Sequence, residues 1–181
     1  LVNTNPKLAK ALIKLGDNYK KKDHEIIDKV EKLSGKMVDN RKNSFPGEVV
    51  SDFLQENKNY FPKLEEFAEV IFKKIQSNNR SRYTPLCDFL KKEYDITVKD
   101  IIPEEGKPFS KIYNVQSKEL FLSDYLTLET KKLHAASQIA LEGASKEIEE
   151  YLSKFYFPTK ESKKLTKVAL LNYCGAAILM P

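Results

Sequence analysis

Two histidines and two cysteines set the first limits on the chemistry this chain can do. Cys87 follows Leu86 close to the start of an apolar-periodic segment, where a helix N-terminus would lower its pKa, while Cys174 sits inside an apolar run. With His134 as base and an acid such as Asp88 to orient it, either thiol would complete a nucleophilic triad. The spacing gives this no support, and both thiols are expected to be small structural hydrophobes. His24 has Asp28 four residues on, so the two share a helix face as a pair of metal ligands would. No third ligand lies nearby, and acids in a first helical turn are accounted for by the helix dipole. The acid pairs Glu65-Glu66, Glu104-Glu105 and Glu149-Glu150 are adjacent residues, which on a helix point in different directions and cannot face each other across a cleft.

Other signatures of catalysis and cofactor binding are missing. Gly16, Gly35, Gly47, Gly106, Gly143 and Gly175 stand apart from one another, which excludes a glycine-rich phosphate loop. Cys-x-x-Cys, His-Glu-x-x-His and Gly-x-Ser-x-Gly do not occur. The sequence therefore implies no catalytic residue, no metal and no cofactor, and reads as non-enzymatic. Two cysteines are too few for a disulfide scaffold, and no run approaches the ~18 apolar residues of a spanning helix, so a soluble intracellular protein is expected.

What chemistry remains is cationic. Lys and Arg number 31 against 26 Asp and Glu in 181 residues, a net charge of +5. The arginines are Arg41, Arg80 and Arg82; the other cations are lysines, which meet phosphate as point charges and lack the planar fork that reads guanine edges. One cluster surrounds the polar connection 77–83: Lys73, Lys74, Arg80, Arg82, Lys91 and Lys92, with Tyr83 placed to stack on a base. A second, Lys160, Lys163, Lys164 and Lys167, opens the last helix. Both are candidate contacts for anions or nucleic acid, although mixed charge at helix ends is also the ordinary solvated surface of a helical protein.

The elements that must carry these residues are helical. Asn5-Pro6 opens a helix with Leu8, Leu12, Leu15 and Tyr19 on one face, and Asp23 opens a second that runs to Ser34-Gly35. Phe45-Pro46, Phe61-Pro62, Thr84-Pro85 and Phe157-Pro158 put proline where a first-turn N–H needs no partner. The clearest amphipathic segment follows Pro62, with Leu64, Phe67, Ala68, Ile71, Phe72 and Ile75 on one side. Over 95–116, Pro103, Gly106 and Pro108 forbid a long helix and leave room for a short β-ribbon pairing 97–101 with 111–115. Ser117 to Leu122 reads as one helical turn, and Ser123 as the cap of a long helix through Phe155 that Gly143 can divide. Ala135, Ala136, Ala140, Gly143 and Ala144 let another helix approach closely, which places this segment at the centre. Thr159 or Ser162 caps the final, apolar helix.

The whole reads as an all-α, compact bundle of about six to eight helices. It is one domain over 1–181, with a subdivision into 1–94 and 117–181 joined by 95–116 also open. Beginning on Leu1-Val2-Asn3 and ending on Ile178-Leu179-Met180-Pro181, it is expected to be an excised or processed piece of a longer protein. The leading functional expectation is a protein–protein interaction or scaffolding domain with a protein partner. The alternative is a lysine-dependent, sequence-non-specific binder of RNA or single-stranded DNA. The oligomeric state stays open, since helical faces bury equally well within a chain or between chains.

Overall fold

A computed structural model describes residues 45–75, 83–104 and 108–180. The helices expected over 5–33, the polar loop 39–44, and Arg80 and Arg82 lie outside the described residues. Three helices come first: α1 (Pro46–Glu56), α2 (Pro62–Ile75) and α3 (Tyr83–Tyr94). Strands β1 (Thr97–Ile101), β2 (Lys111–Asn114) and β3 (Glu119–Ser123) follow, and then α4 (Leu128–Gly143), α5 (Ser145–Ser153) and α6 (Lys160–Leu179). Pro46 and Pro62 are the first residues of α1 and α2, and Pro85 lies in the first turn of α3, positions that cost no intrahelical hydrogen bond. Phe61, just before α2, is fully buried, its ring 5.8 Å from Phe53, 5.1 Å from Tyr151 and 5.0 Å from Tyr173. This aromatic cluster pins the start of α2 to α1, α5 and α6.

The sheet corrects three expectations. β1 and β2 form as read, but they do not pair with each other: the order is β1-β3-β2, with β3 parallel to β1 and antiparallel to β2. The strand between them, β3, occupies the stretch read as a helical turn. Five residues are too few for periodicity to separate a turn from a strand. Burial decides it, because pairing on both sides encloses Leu120 and Leu122 and gives a two-stranded ribbon the third strand it lacks. The fold is thus mostly helical with a small mixed sheet, not all-α, and the described residues hold six helices.

Gly143 does divide the long helical segment: α4 ends there and α5 starts at Ser145. A Cβ at Gly143 would lie 2.6 Å from the ends of Phe67 and Tyr94. The cap of α4 is Thr127, whose Oγ1 accepts from the Thr130 amide at 3.3 Å; Ser123 is instead the last residue of β3. Thr159 caps α6, accepting from the Ser162 amide at 3.0 Å. Ala135, Ala136, Ile139 and Ala140 make α4 the most enclosed helix, and it meets α6 where Gly175 faces Ser137.

A methyl group at Gly175 would sit 2.9 Å from the backbone nitrogen of Ser137, which cannot rotate away. Gly175→Ala is therefore expected to destabilise the protein by about 1–3 kcal/mol through overpacking. Gly47→Ala, with nothing within 4 Å of the added carbon, should be neutral or stabilise by a few tenths of a kcal/mol. Urea unfolding of the two variants side by side checks both signs.

Candidate functional site

Half of the described cations singled out in the sequence, Lys73, Lys91, Lys163 and Lys167, have acidic partners. In the first cluster, Lys73 pairs with Glu69 on the same helix at 2.7 Å, and Lys91 with Asp95, just past the end of α3, at 2.6 Å. Lys74 and Lys92 line a groove of about 540 Å³ between α2 and α3, together with Phe89 and the acids Asp88 and Glu93. Tyr83 is half-buried and its hydroxyl donates to Asp100 Oδ1 at 2.9 Å, which ties the ring to the end of β1. Burial first, and then this carboxylate, hold its pKa well above the ordinary tyrosine value. In the second cluster, Lys163 and Lys167 share Glu149, at 3.8 Å and 2.7 Å, and the Lys167 hydrogen bond keeps that carboxyl below its usual range. Lys160 and Lys164 form no ion pair among the described residues. The clusters do not converge at one end of α2: Lys63, in its first turn, pairs with Glu150 beside Glu149, whereas Lys74 lies roughly 16 Å further along the helix.

Chemistry that the sequence reading missed lies between α4 and the sheet. Lys131, only 7% exposed, donates to Asp100 Oδ2 and Asp124 Oδ1 at 3.0 Å each. These two bonds hold its pKa above the ordinary lysine value despite burial. Asp100 at the end of β1, Asp124 after β3, Tyr83 on α3 and Lys131 on α4 thus form one network. Cys87 borders it, and burial pushes its thiol up to about 11; burial lifts Cys174 to about 12. Burial thus disfavours the thiolate form of both.

Further along α4, His134, Gln138 and Glu142 recur every four residues and so share a face. Lys111 and Tyr113, alternate residues of β2, face the same row. The Lys111 ammonium donates to Gln138 Oε1 at 3.4 Å, and Gln138 Nε2 donates to Glu142 Oε1 at 2.9 Å. Burial first, and then the nearby Glu142 carboxylate, hold the Tyr113 phenol above the ordinary tyrosine value. Gln138 is fully buried, and Lys111 and His134 are half-buried. Among the described residues Lys111 has no carboxylate within ion-pair distance, and burial lowers its pKa. Burial lowers that of His134 as well, helped by the charge on Lys111. No three His, Cys, Asp or Glu side chains gather as a metal site among the described residues. The four-residue spacing on α4 was visible in the sequence, but nothing there announced that Lys111 would arrive opposite it.

The fold is shared with a transcriptional regulator. A solved structure described as a Mycobacterium tuberculosis transcriptional regulator superposes with a TM-score of 0.68, covering 76% of this chain and 42% of that one at 24% sequence identity, a level that establishes the fold. In sequence, the chain is 25% identical over 138 residues to the HTH-type transcriptional regulator PrpR of Mycobacterium tuberculosis (strain ATCC 25618 / H37Rv). That alignment covers 75% of this chain but 28% of PrpR, so the chain spans less than a third of the relative's length. No family model matches. The likeness overturns the expectation of a protein–protein scaffold: what the chain resembles is a regulator of transcription, which agrees with the nucleic-acid partner kept open in the sequence. No described helix is long and apolar enough to cross a membrane.

The depressed pKa of His134 has a testable sign. Below the ordinary value of 6.5 the unfolded chain binds a proton at this residue that the folded chain resists, so stability falls as pH drops through 6.5 toward the folded value. His134→Gln removes this loss while keeping a neutral polar side chain. The urea midpoint is expected to fall less between pH 7 and pH 5 in the variant than in the parent protein.

Proposed function

We propose that this chain is part of a DNA-binding transcriptional regulator and that residues 45–180 serve as its regulatory portion, not as the element that reads base sequence. The observation that carries this reading is the similarity to PrpR along three-quarters of the chain. The charge distribution supports the division of labour. A base-reading helix presents an open cationic face to the major groove, whereas on α2 and α3 Lys63, Lys73 and Lys91 are ion-paired and the lysines are interspersed with Glu66, Glu69, Asp88 and Glu93. Phosphate contact then falls to the lysines of the two clusters that have no ion pair among the described residues, Lys74, Lys92, Lys160 and Lys164, with Arg80 and Arg82 adjoining the first pair in sequence. Such contacts hold DNA without reading it.

Fluorescence anisotropy of the chain on labelled duplex DNA tests this. Binding is expected to be weak, equal for unrelated duplexes, and lost with rising salt at about one unit of log–log slope per phosphate contact. Lys74→Glu with Lys92→Glu should lower that slope by about two. Preference of more than about tenfold for one duplex over its scrambled counterpart would assign base reading to this chain and refute the division.

A further inference from the structure

The half-buried polar row between β2 and α4 is electrostatically incomplete. Lys111 reaches it from an edge strand, and the acceptor it meets is the neutral amide oxygen of Gln138. A cation partly withdrawn from water is unfavourable without a counter-charge. Gln138 cannot supply one, and its amide nitrogen is committed to Glu142, which keeps the oxygen turned toward Lys111. His134 lies one turn earlier on α4, near enough to Lys111 for the two to repel when both are charged. The surrounding acids are engaged elsewhere. Asp100 and Asp124 hold Lys131, while Glu142 accepts from Gln138. Two half-buried nitrogen groups thus share this face with no acid ion-paired to either among the described residues.

We propose that Lys111 and His134, oriented by Gln138, bind a small oxyanion, the carboxylate or phosphate group of an effector molecule. The anion accepts from Lys111 Nζ and from the protonated imidazole, supplying the counter-charge that the fold omits. Binding therefore favours the charged form of His134. The site stands on its own geometry; only the word effector rests on the regulator reading.

NMR of the His134 ring protons in the intact chain tests the site, with His24 as internal reference. Sodium phosphate and sodium succinate are titrated separately, with sodium chloride holding the ionic strength constant. A saturable His134 shift with phosphate, succinate or both, accompanied by an upward move of its pKa, supports the site; the responding arm tells phosphate from carboxylate recognition. Lys111→Met should weaken the response at least tenfold, and Lys111→Gln, kinder to the fold, should do the same. No saturation by about 10 mM in either arm, an equal response to chloride, or an undiminished response in both Lys111 variants would overturn it. The DNA titration can fail while this one succeeds, and the reverse, so the two ideas are separable.

Discussion

At Gly175 the backbone of α6 comes within contact distance of Ser137 on α4, and the described fold is arranged around that approach. Two helices can lie so close only where side chains are small, which is what Ala136, Ser137 and Ala140 supply on the facing helix. The Ser137 hydroxyl bonds to Asn172 Oδ1 at 3.2 Å, so the crossing is polar as well as tight. With α6 on one side, α4 is left a second face for the sheet. That face carries Lys131, Gln138 and Glu142 and receives Asp100, Lys111 and Tyr113 in return. The chemistry of the molecule is therefore concentrated on the helix with the least freedom to move.

Charge follows a different logic on the surface and beneath it. Outside, lysines close onto acids one turn away or on a neighbouring helix, as in Lys73–Glu69, Lys91–Asp95 and Lys167–Glu149. Exposed pairs of this kind contribute little stability each, but they flatten the field that an excess of basic residues would otherwise create. Beneath the sheet the opposite holds, because Lys131 has two acids and Lys111 has none among the described residues. The net charge of +5 says nothing about that imbalance.

Helices were legible because their signals are local. Proline in the first turn, Thr159 as a cap, Gly143 as a break and the apolar stripe from Leu64 to Ile75 each act within a few residues, and each appears in the structure. The sheet was half legible. β1 and β2 announced themselves on either side of Pro103 and Pro108, but their partner β3 did not, since Glu119-Leu-Phe-Leu-Ser123 becomes a strand through pairing with residues some twenty positions away. The site was hardly legible at all. Tyr83 was read as a stacking ring because nothing in its neighbourhood revealed that Asp100 would take its hydroxyl. Lys111 and Lys131 passed unremarked among many lysines, their distinction being burial, which is a property of the folded chain.

The Lys131 network has a lopsided tolerance to change. One ammonium stands between two carboxylates, so removing either acid leaves a balanced pair, whereas removing the lysine leaves Asp100 and Asp124 facing each other with no cation between them. Like charges in a partly dry setting repel strongly, and one of these acids also receives Tyr83 from α3. A single atom, the Lys131 nitrogen, thus acts as the keystone at which the end of a strand, the loop leading into α4 and the start of α3 lean on one another.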